Sequence, residues 1–163
     1  MSFGDEATID FATARGRSWP SVRQFNVFLA NRMGAMLDLV RRLESSQVPI
    51  VSLSVIETAD CAIIRLVLAE YERGFEVLSA AKLPFTESDL LVVKLPDNSQ
   101  PLVTIMKALL SGEVNLNYTY PMLIGVGPMG NTALALHVDG IENAAKVLTD
   151  RGFTLFGEDD LRE

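Results

Sequence analysis

The chain reads VFLANRMGAMLDLVRRLESSQVPIVSLSV from Val27 to Val55 and VKLPDNSQPLVTIMKALLSGEVNLNYTYP from Val93 to Pro121. A shift of 66 residues superposes these two stretches without a gap. Their apolar positions coincide in the pairs Met36/Leu102, Leu39/Ile105, Val40/Met106, Leu43/Leu109, Val48/Val114 and Ile50/Leu116. The first four pairs have the spacing of one helix face, and the last two lead into a strand. The match indicates two copies of one structural unit.

The match continues beyond these stretches with a slip of about five residues, which the segment Ile124–Gly130 accounts for. Apolar periodicity then predicts the order β-α-β-β-α-β in each copy. In the first copy we expect strands at Arg23–Ala30, Ile50–Glu57, Ala62–Ala69 and around Phe85, with helices at Met33–Glu44 and Tyr71–Ala81. In the second we expect strands at Leu90–Leu95, Glu113–Met122, Thr132–Val138 and Phe153–Phe156, with helices at Pro101–Leu110 and Ile141–Asp150.

This order predicts an α+β fold made of two ferredoxin-like βαββαβ repeats. A unit of about 65 residues forms a marginal core alone, so the repeats should pack side by side. We expect an antiparallel sheet of about eight strands with the helices on one face. The predicted domains are an N-terminal arm at residues 1–20, a first repeat at 21–87 and a second at 88–163.

Composition excludes several classes of function. The 163 residues are 48% hydrophobic and carry a formal net charge of −7, with no block of Lys and Arg, so binding to nucleic acid or to an anionic membrane is disfavoured. One cysteine, Cys61, and one histidine, His137, are too few for a disulfide or a structural zinc site. We therefore predict no metal, no cofactor, no membrane segment and a reducing, cytoplasmic location.

The paired units resemble ACT domains. In that family a strand is followed by a polar loop of the form Asn-x-Pro-Gly-x-Leu, then by a helix and a second strand of Gly-Val-Asn-Ile character. Here the two loops read NRMGAM at 31–36 and DNSQPL at 97–102, and the second strands open with QVPI at 47–50 and EVNL at 113–116. The resemblance covers about residues 22–158. It implies a stand-alone tandem ACT protein, similar to those labelled acetolactate synthase regulatory subunit.

What the resemblance implies is regulatory binding and not catalysis. In ACT pairs, amino acids and similar small ligands bind between two domains near the first strand–helix loops. The N-terminus of a helix offers free backbone N–H groups to a carboxylate, and a loop glycine lets the ligand approach closely. Carried over by position, the candidate ligand-binding residues are Asn31, Arg32, Met33, Gly34 and Ala35 in the first loop, and Asp97, Asn98, Ser99 and Gln100 in the second.

Both loops depart from the family pattern. Met33 stands where proline is usual, and Gln100 stands where glycine is usual, with the proline moved to position 101. The side chain of Gln100 would crowd a closely approaching ligand. We expect at most one good site per chain, with Gly34 in it; complete loss of binding is the alternative.

Three further features each have two interpretations. Alternation puts Asn115, Asn117 and Thr119 on one face of a strand, opposite Leu116, Tyr118 and Tyr120. The asparagines then form either a solvated sheet face or polar contacts to a ligand at the junction of the repeats. The segment Gly125–Gly130 fits the pattern G-x-G-x-x-G, but a strand pattern follows it, so it is a hairpin loop or a loop that folds over a ligand. His137 is either an interface residue or a group for ligand binding or proton transfer.

The leading hypothesis is a non-enzymatic regulatory protein. It would bind an amino acid or a similar small carboxylate at the junction of two repeats, and so alter its assembly or its contact with a partner enzyme of amino-acid metabolism. A homodimer is expected because exposed sheet edges favour pairing. The alternative is a structural interaction and dimerisation module without a metabolite ligand.

Overall fold

The computed structural model describes residues 19–30, 34–125 and 130–162. These ranges hold seven strands, namely β1 Val22–Ala30, β2 Ile50–Glu57, β3 Cys61–Leu68, β4 Phe85–Lys94, β5 Leu116–Ile124, β6 Asn131–Val138 and β7 Leu155–Phe156. They also hold four α-helices, α1 Ala35–Ser45, α2 Tyr71–Ala80, α3 Pro101–Ser111 and α4 Ile141–Asp150, and a 3-10 helix at Glu158–Arg162, here named the 158–162 turn. In these ranges no helix is both long and apolar enough to span a membrane.

The predicted α+β fold of two ferredoxin-like repeats is confirmed. The strands join in the order β2-β3-β1-β4-β6-β5, with β7 also paired to β4, and every pairing within the described ranges is antiparallel. The sheet has seven strands where about eight were expected, because the last strand of the first repeat and the first strand of the second are one continuous strand, β4. Its first half pairs with β1 and its second half with β6 and β7. The predicted domain boundary, between residues 87 and 88, falls inside this strand.

The helices cover one face of the sheet. Along β4, Phe85, Leu91 and Val93 share that face, because alternate residues of a strand point the same way. Phe85 packs against the core formed with α1 and α2, and Leu91 and Val93 belong to the core formed with α3 and α4. Each repeat therefore has its own helix-side core, and the two cores meet along β4.

The opposite face of the sheet is closed by the sheet itself. β2 and β5 stand at the two ends of the strand order, yet they contact each other, so the sheet is strongly curled. A third core occupies its inside and takes Val67 from the first repeat together with Met122 and Ala135 from the second. The two repeats are thus joined through a shared interior as well as through β4.

A buried polar network crosses this interior. The side chain of Gln24 on β1 has no exposed surface. Its Nε2 donates to Asn26 Oδ1 and to Tyr118 Oη, at 2.8 Å each, and its Oε1 accepts from Tyr120 Oη at 2.5 Å. Asn26 in turn donates to Ser88 Oγ at 2.9 Å. Because both tyrosines lie on β5, this network connects the first repeat with the second.

We predict that Gln24→Leu destabilises the protein by about 2–4 kcal/mol, since it leaves two tyrosine hydroxyls and the Asn26 amide in the interior without their partner. Urea unfolding at neutral pH measures this change in the free energy of unfolding. Gln100→Leu, on an exposed loop, is the matched control and should change it by less than about 0.5 kcal/mol. Equal effects of the two substitutions would contradict a structural role for the network.

Candidate functional site

The N-terminus of α1 is open. Gly34 precedes the helix with a left-handed backbone (φ 88°), which favours glycine because a side chain is strained there. Among the described residues, no side chain caps this helix end, and no atom lies within 4 Å of the position a Cβ would take at Gly34. The first N–H groups of the helix, which have no partner inside the helix, can therefore reach a ligand.

An apolar recess adjoins this helix end. It has a volume of about 150 Å³ and is lined by Leu29, Ala30, Ala35, Met36, Val55, Glu57, Ala62 and Ile64. The walls come from the end of β1, the first turn of α1, the end of β2 and the start of β3, so the fold brings four elements together here. Glu57 supplies the carboxylate of an otherwise apolar lining. The predicted residues Gly34 and Ala35 are at this place, whereas Asn31, Arg32 and Met33 lie outside the described residues.

In the described residues the N-terminus of α3 also has no side-chain cap, but its first turn has one N–H donor fewer than that of α1. Asn98 Oδ1 accepts from the N–H of Gln100 at 2.9 Å, and Asn98 Nδ2 donates to Thr104 Oγ1 at 3.3 Å. Pro101, the first residue of the helix, has no N–H to offer. The predicted residues Asp97, Asn98, Ser99 and Gln100 are all exposed, but the donors that would hold a carboxylate are fewer than at α1.

The two loops lie far apart. Val27 pairs with Phe85 at the start of β4, and Gly34 follows the end of β1, so Gly34 lies beyond that end of β4. The loop before α3 follows Lys94, at the other end. A strand of ten residues spans about 30 Å, so one ligand does not touch both loops of the same chain.

Asn115 and Asn117 form an exposed cluster with Asp139. Asn115 Nδ2 donates to Asp139 Oδ2 at 2.7 Å, and Asn117 Nδ2 lies 3.0 Å from Asp139 Oδ1 and 3.2 Å from His137 Nδ1. These hydrogen bonds lower the pKa of Asp139. Among the residues that the structure describes, no three His, Cys, Asp or Glu side chains gather where they could hold a metal ion.

The junction of the repeats is contacted by the other face of β5. Arg65 of the first repeat places its Cζ 3.6 Å from the centre of the Tyr118 ring, and the ring of His137 stacks on Tyr118 with centres 4.6 Å apart. The sequence interpretation did not identify Gln24, Arg65 or the two tyrosines as junction residues. For Gln24 the sequence contained a signal: Gln24 and Asn26 are polar residues among the apolar residues of β1, and β1 is a central strand of the sheet.

The glycine pattern has its two ends in the described residues, while 126–129 lie outside them. Gly125 follows β5 directly with a φ of 85°, and Gly130 precedes β6. Because a strand and not a helix follows, the pattern lacks the helix N-terminus that binds phosphate in a dinucleotide site. The expected position between two strands of a hairpin is confirmed.

Two βαββαβ repeats that share one strand define a tandem module of ferredoxin-like fold. A family model described as an ACT domain pair matches residues 20–163, and the chain belongs to that family. The sequence matches no curated protein.

Two solved structures show the same fold. Protein BT0572 from Bacteroides thetaiotaomicron has a TM-score of 0.79 and 17% identity, over 89% of this chain and 98% of that one. The ligand-free regulatory subunit of aspartate kinase from Thermus thermophilus has a TM-score of 0.52 and 9% identity, over 81% of this chain and 92% of that one. The likeness to acetolactate synthase regulatory subunits stays a prediction.

The stacked position of His137 leads to a pH prediction. Burial, and secondly the charge of Arg65, lower the pKa of His137, against a smaller opposite effect of Asp139. The folded protein therefore binds the proton less readily than the unfolded chain, so the free energy of unfolding should fall as pH drops below about 6.5. His137→Phe keeps a flat ring on Tyr118 without a titrating group, and should weaken this dependence.

Urea unfolding of both proteins between about pH 7 and pH 5 measures the difference, since the unperturbed histidine titrates in that range. Asp139 affects the free energy of unfolding in a different pH range. Its pKa is lowered in the folded protein, so the stability that it contributes is lost at more acidic pH. An unchanged slope in His137→Phe would show that His137 does not cause the dependence.

Proposed function

We propose that this chain is a non-catalytic regulatory protein that binds a small amino acid at the N-terminus of α1. The observation that carries the proposal is the uncapped, left-handed Gly34 beside an apolar recess. The ligand carboxylate accepts from the first N–H groups of α1, where the helix dipole also favours negative charge. The ammonium group faces Glu57, and the side chain enters the recess.

The recess selects the ligand by size and polarity. About 150 Å³ lined by Leu29, Met36, Val55 and Ile64 suits an aliphatic side chain and disfavours a charged one, because a charge would lose its hydration there. Asn31, Arg32 and Met33 belong to the same proposal, as the loop that leads into Gly34. The second loop, with Asn98, Ser99 and Gln100, would then serve as a structural counterpart, because Pro101 at the start of its helix removes one N–H donor.

Regulation is proposed from the position of the recess. Leu29 and Ile64 line it and also belong to the core under α1 and α2, so a bound ligand orders the end of that core. Such a ligand shifts the population toward one packing of the first repeat. The similar fold of an aspartate kinase regulatory subunit supports action on a partner enzyme of amino-acid metabolism.

A thermal-shift screen of aliphatic amino acids tests the site with two glycine variants. We predict that Gly34→Val abolishes the shift, because its side chain enters the space in front of the helix end. Gly140→Val is the matched control, because Gly140 also precedes a helix with a left-handed backbone (φ 62°) and with open space around it.

A ligand at 100 times its dissociation constant should stabilise the native protein by about 2.7 kcal/mol, a shift of several degrees. Without ligand, Gly140→Val should be destabilised as Gly34→Val is, but it should keep the thermal shift on addition of the ligand. Equal loss of the shift in both variants, or no shift with the native protein, would contradict the proposed site.

The second candidate function, an interaction module that dimerises, is favoured by the outer face of α3. Leu102, Val103 and Leu110 are 51%, 45% and 79% exposed, and Lys107 is the one charged residue of this helix. Val103 and Leu110 lie on one line along the helix with Lys107 between them, and Leu102 lies about 100° around the axis from Val103. An acidic protein approaches its own copy most easily through an element without acidic residues.

We predict that Leu110→Lys reduces self-association while the free energy of unfolding changes by less than about 0.5 kcal/mol, since the residue is exposed. Sedimentation velocity over a concentration series measures the association. Leu37→Lys, on the exposed face of α1, is the control and should leave it unchanged. If the native protein is monomeric at every concentration, the hypothesis of a dimerising interaction module is wrong.

A further inference from the structure

A second polar site lies at the far end of β1 from Gly34, where the first repeat meets the 158–162 turn. The carboxylate of Glu158 accepts three hydrogen bonds from Arg23. They come from the backbone N–H at 3.1 Å, from Nε at 2.7 Å and from Nη2 at 2.8 Å. This bidentate fork with an added backbone donor is the arrangement by which proteins recognise carboxylates.

The donors are held in place by contacts that do not involve Glu158. The Cζ of Arg23 lies 3.2 Å from the centre of the Tyr71 ring, so the guanidinium is fixed against an aromatic face. Tyr71 stacks on Phe25 with ring centres 5.2 Å apart, and its hydroxyl donates to Glu87. The backbone N–H of Arg23 is fixed by the pairing of β1 with β4. The N–H donors of Arg23 therefore keep their positions when another carboxylate takes the place of Glu158.

The site opens into a cavity of about 440 Å³, which is lined by Ser21, Arg23, Glu72, Leu155, Glu158 and Asp160, among others. Arg23 and Glu158 retain 20% and 21% exposure, so solvent reaches the pair. Glu72, in the first turn of α2, is close enough to act on the charge of Arg23. The cavity thus presents Arg23 and Arg162 together with the acidic residues Glu72, Glu158, Asp159 and Asp160.

We propose that Arg23 forms a second ligand site, in which Glu158 serves as an internal stand-in for the carboxylate of a small zwitterion. An external ligand places its carboxylate on Arg23 and its ammonium group toward Glu72, and Glu158 turns out into the cavity. Since Glu158 links the turn to the first repeat while Leu161 anchors it in the shared interior, this exchange loosens the junction of the repeats. The site is separate from the one at Gly34.

The test is an NMR titration that follows the Nε–H and backbone N–H signals of Arg23, with glycine and acetate as probes. Glu158→Gln removes the charge of the internal competitor and keeps its shape, and Glu158→Ala removes the competitor. We expect both probes to shift the Arg23 signals saturably in these variants, glycine more tightly than acetate. A tethered competitor has a high effective concentration, so the native protein should still bind glycine, but about tenfold more weakly than the variants.

Two controls separate this site from others. Arg23→Lys in the Glu158→Gln background should lose the response, because lysine lacks the bidentate fork. Gly34→Val should keep it, so the two sites fail independently. No saturable shift at Arg23 in Glu158→Gln and Glu158→Ala would overturn the proposal, as would equal glycine affinity in the native and variant proteins. If neither variant folds, a native protein whose Arg23 signals ignore glycine overturns it as well.

Discussion

The buried amide of Gln24 determines how the two repeats sit against each other. Apolar layers tolerate many relative positions, because the hydrophobic effect has no direction. The Gln24 amide tolerates only one relative position, because its N–H groups and its oxygen can bond to Asn26, Tyr118 and Tyr120 at the same time in one arrangement of β1 and β5. Burial raises the pKa of Tyr120, so its hydroxyl stays a donor across the physiological range. The curl of the sheet depends on this contact.

The two repeats have the same fold but differ at the N-terminus of their first helix, α1 in one and α3 in the other. The first residues of α1, after Gly34, all carry an N–H, whereas α3 begins with Pro101 and has one donor fewer. A duplicated unit can lose one site in this way without loss of its fold, because the substitutions affect a loop and spare the core. On the proposed function, regulation needs one ligand-binding helix end and a second repeat that supports it through the shared interior.

The gapless repeat predicted the helices, most of the strands and the fold, because core periodicity is a local property of the sequence. It did not predict the continuity of β4, where the polar run Glu87–Asp89 resembles a turn and pairing with β1 makes it a strand. Alternation put Leu116, Tyr118 and Tyr120 on one face of β5, but Leu116 packs against the helix-side core and the tyrosines against the third core, on the other face, because the pairing with β6 is irregular between Leu116 and Tyr118. Which of these faces meets the first repeat depends on the curl of the sheet, a long-range property that no local pattern contains.

The continuity of β4 also constrains how the gene for such a protein can change. Side chains alternate along a strand, so one codon inserted between Leu90 and Leu91 would turn the second half of β4 inside out relative to the first. Leu91 and Val93 would leave the helix-side core, although every other residue of the second repeat is unaltered. Loops elsewhere can lengthen freely, as Ile124–Gly130 has done, but this strand can accept substitutions and not length changes. The duplicated halves are therefore inherited as one indivisible unit.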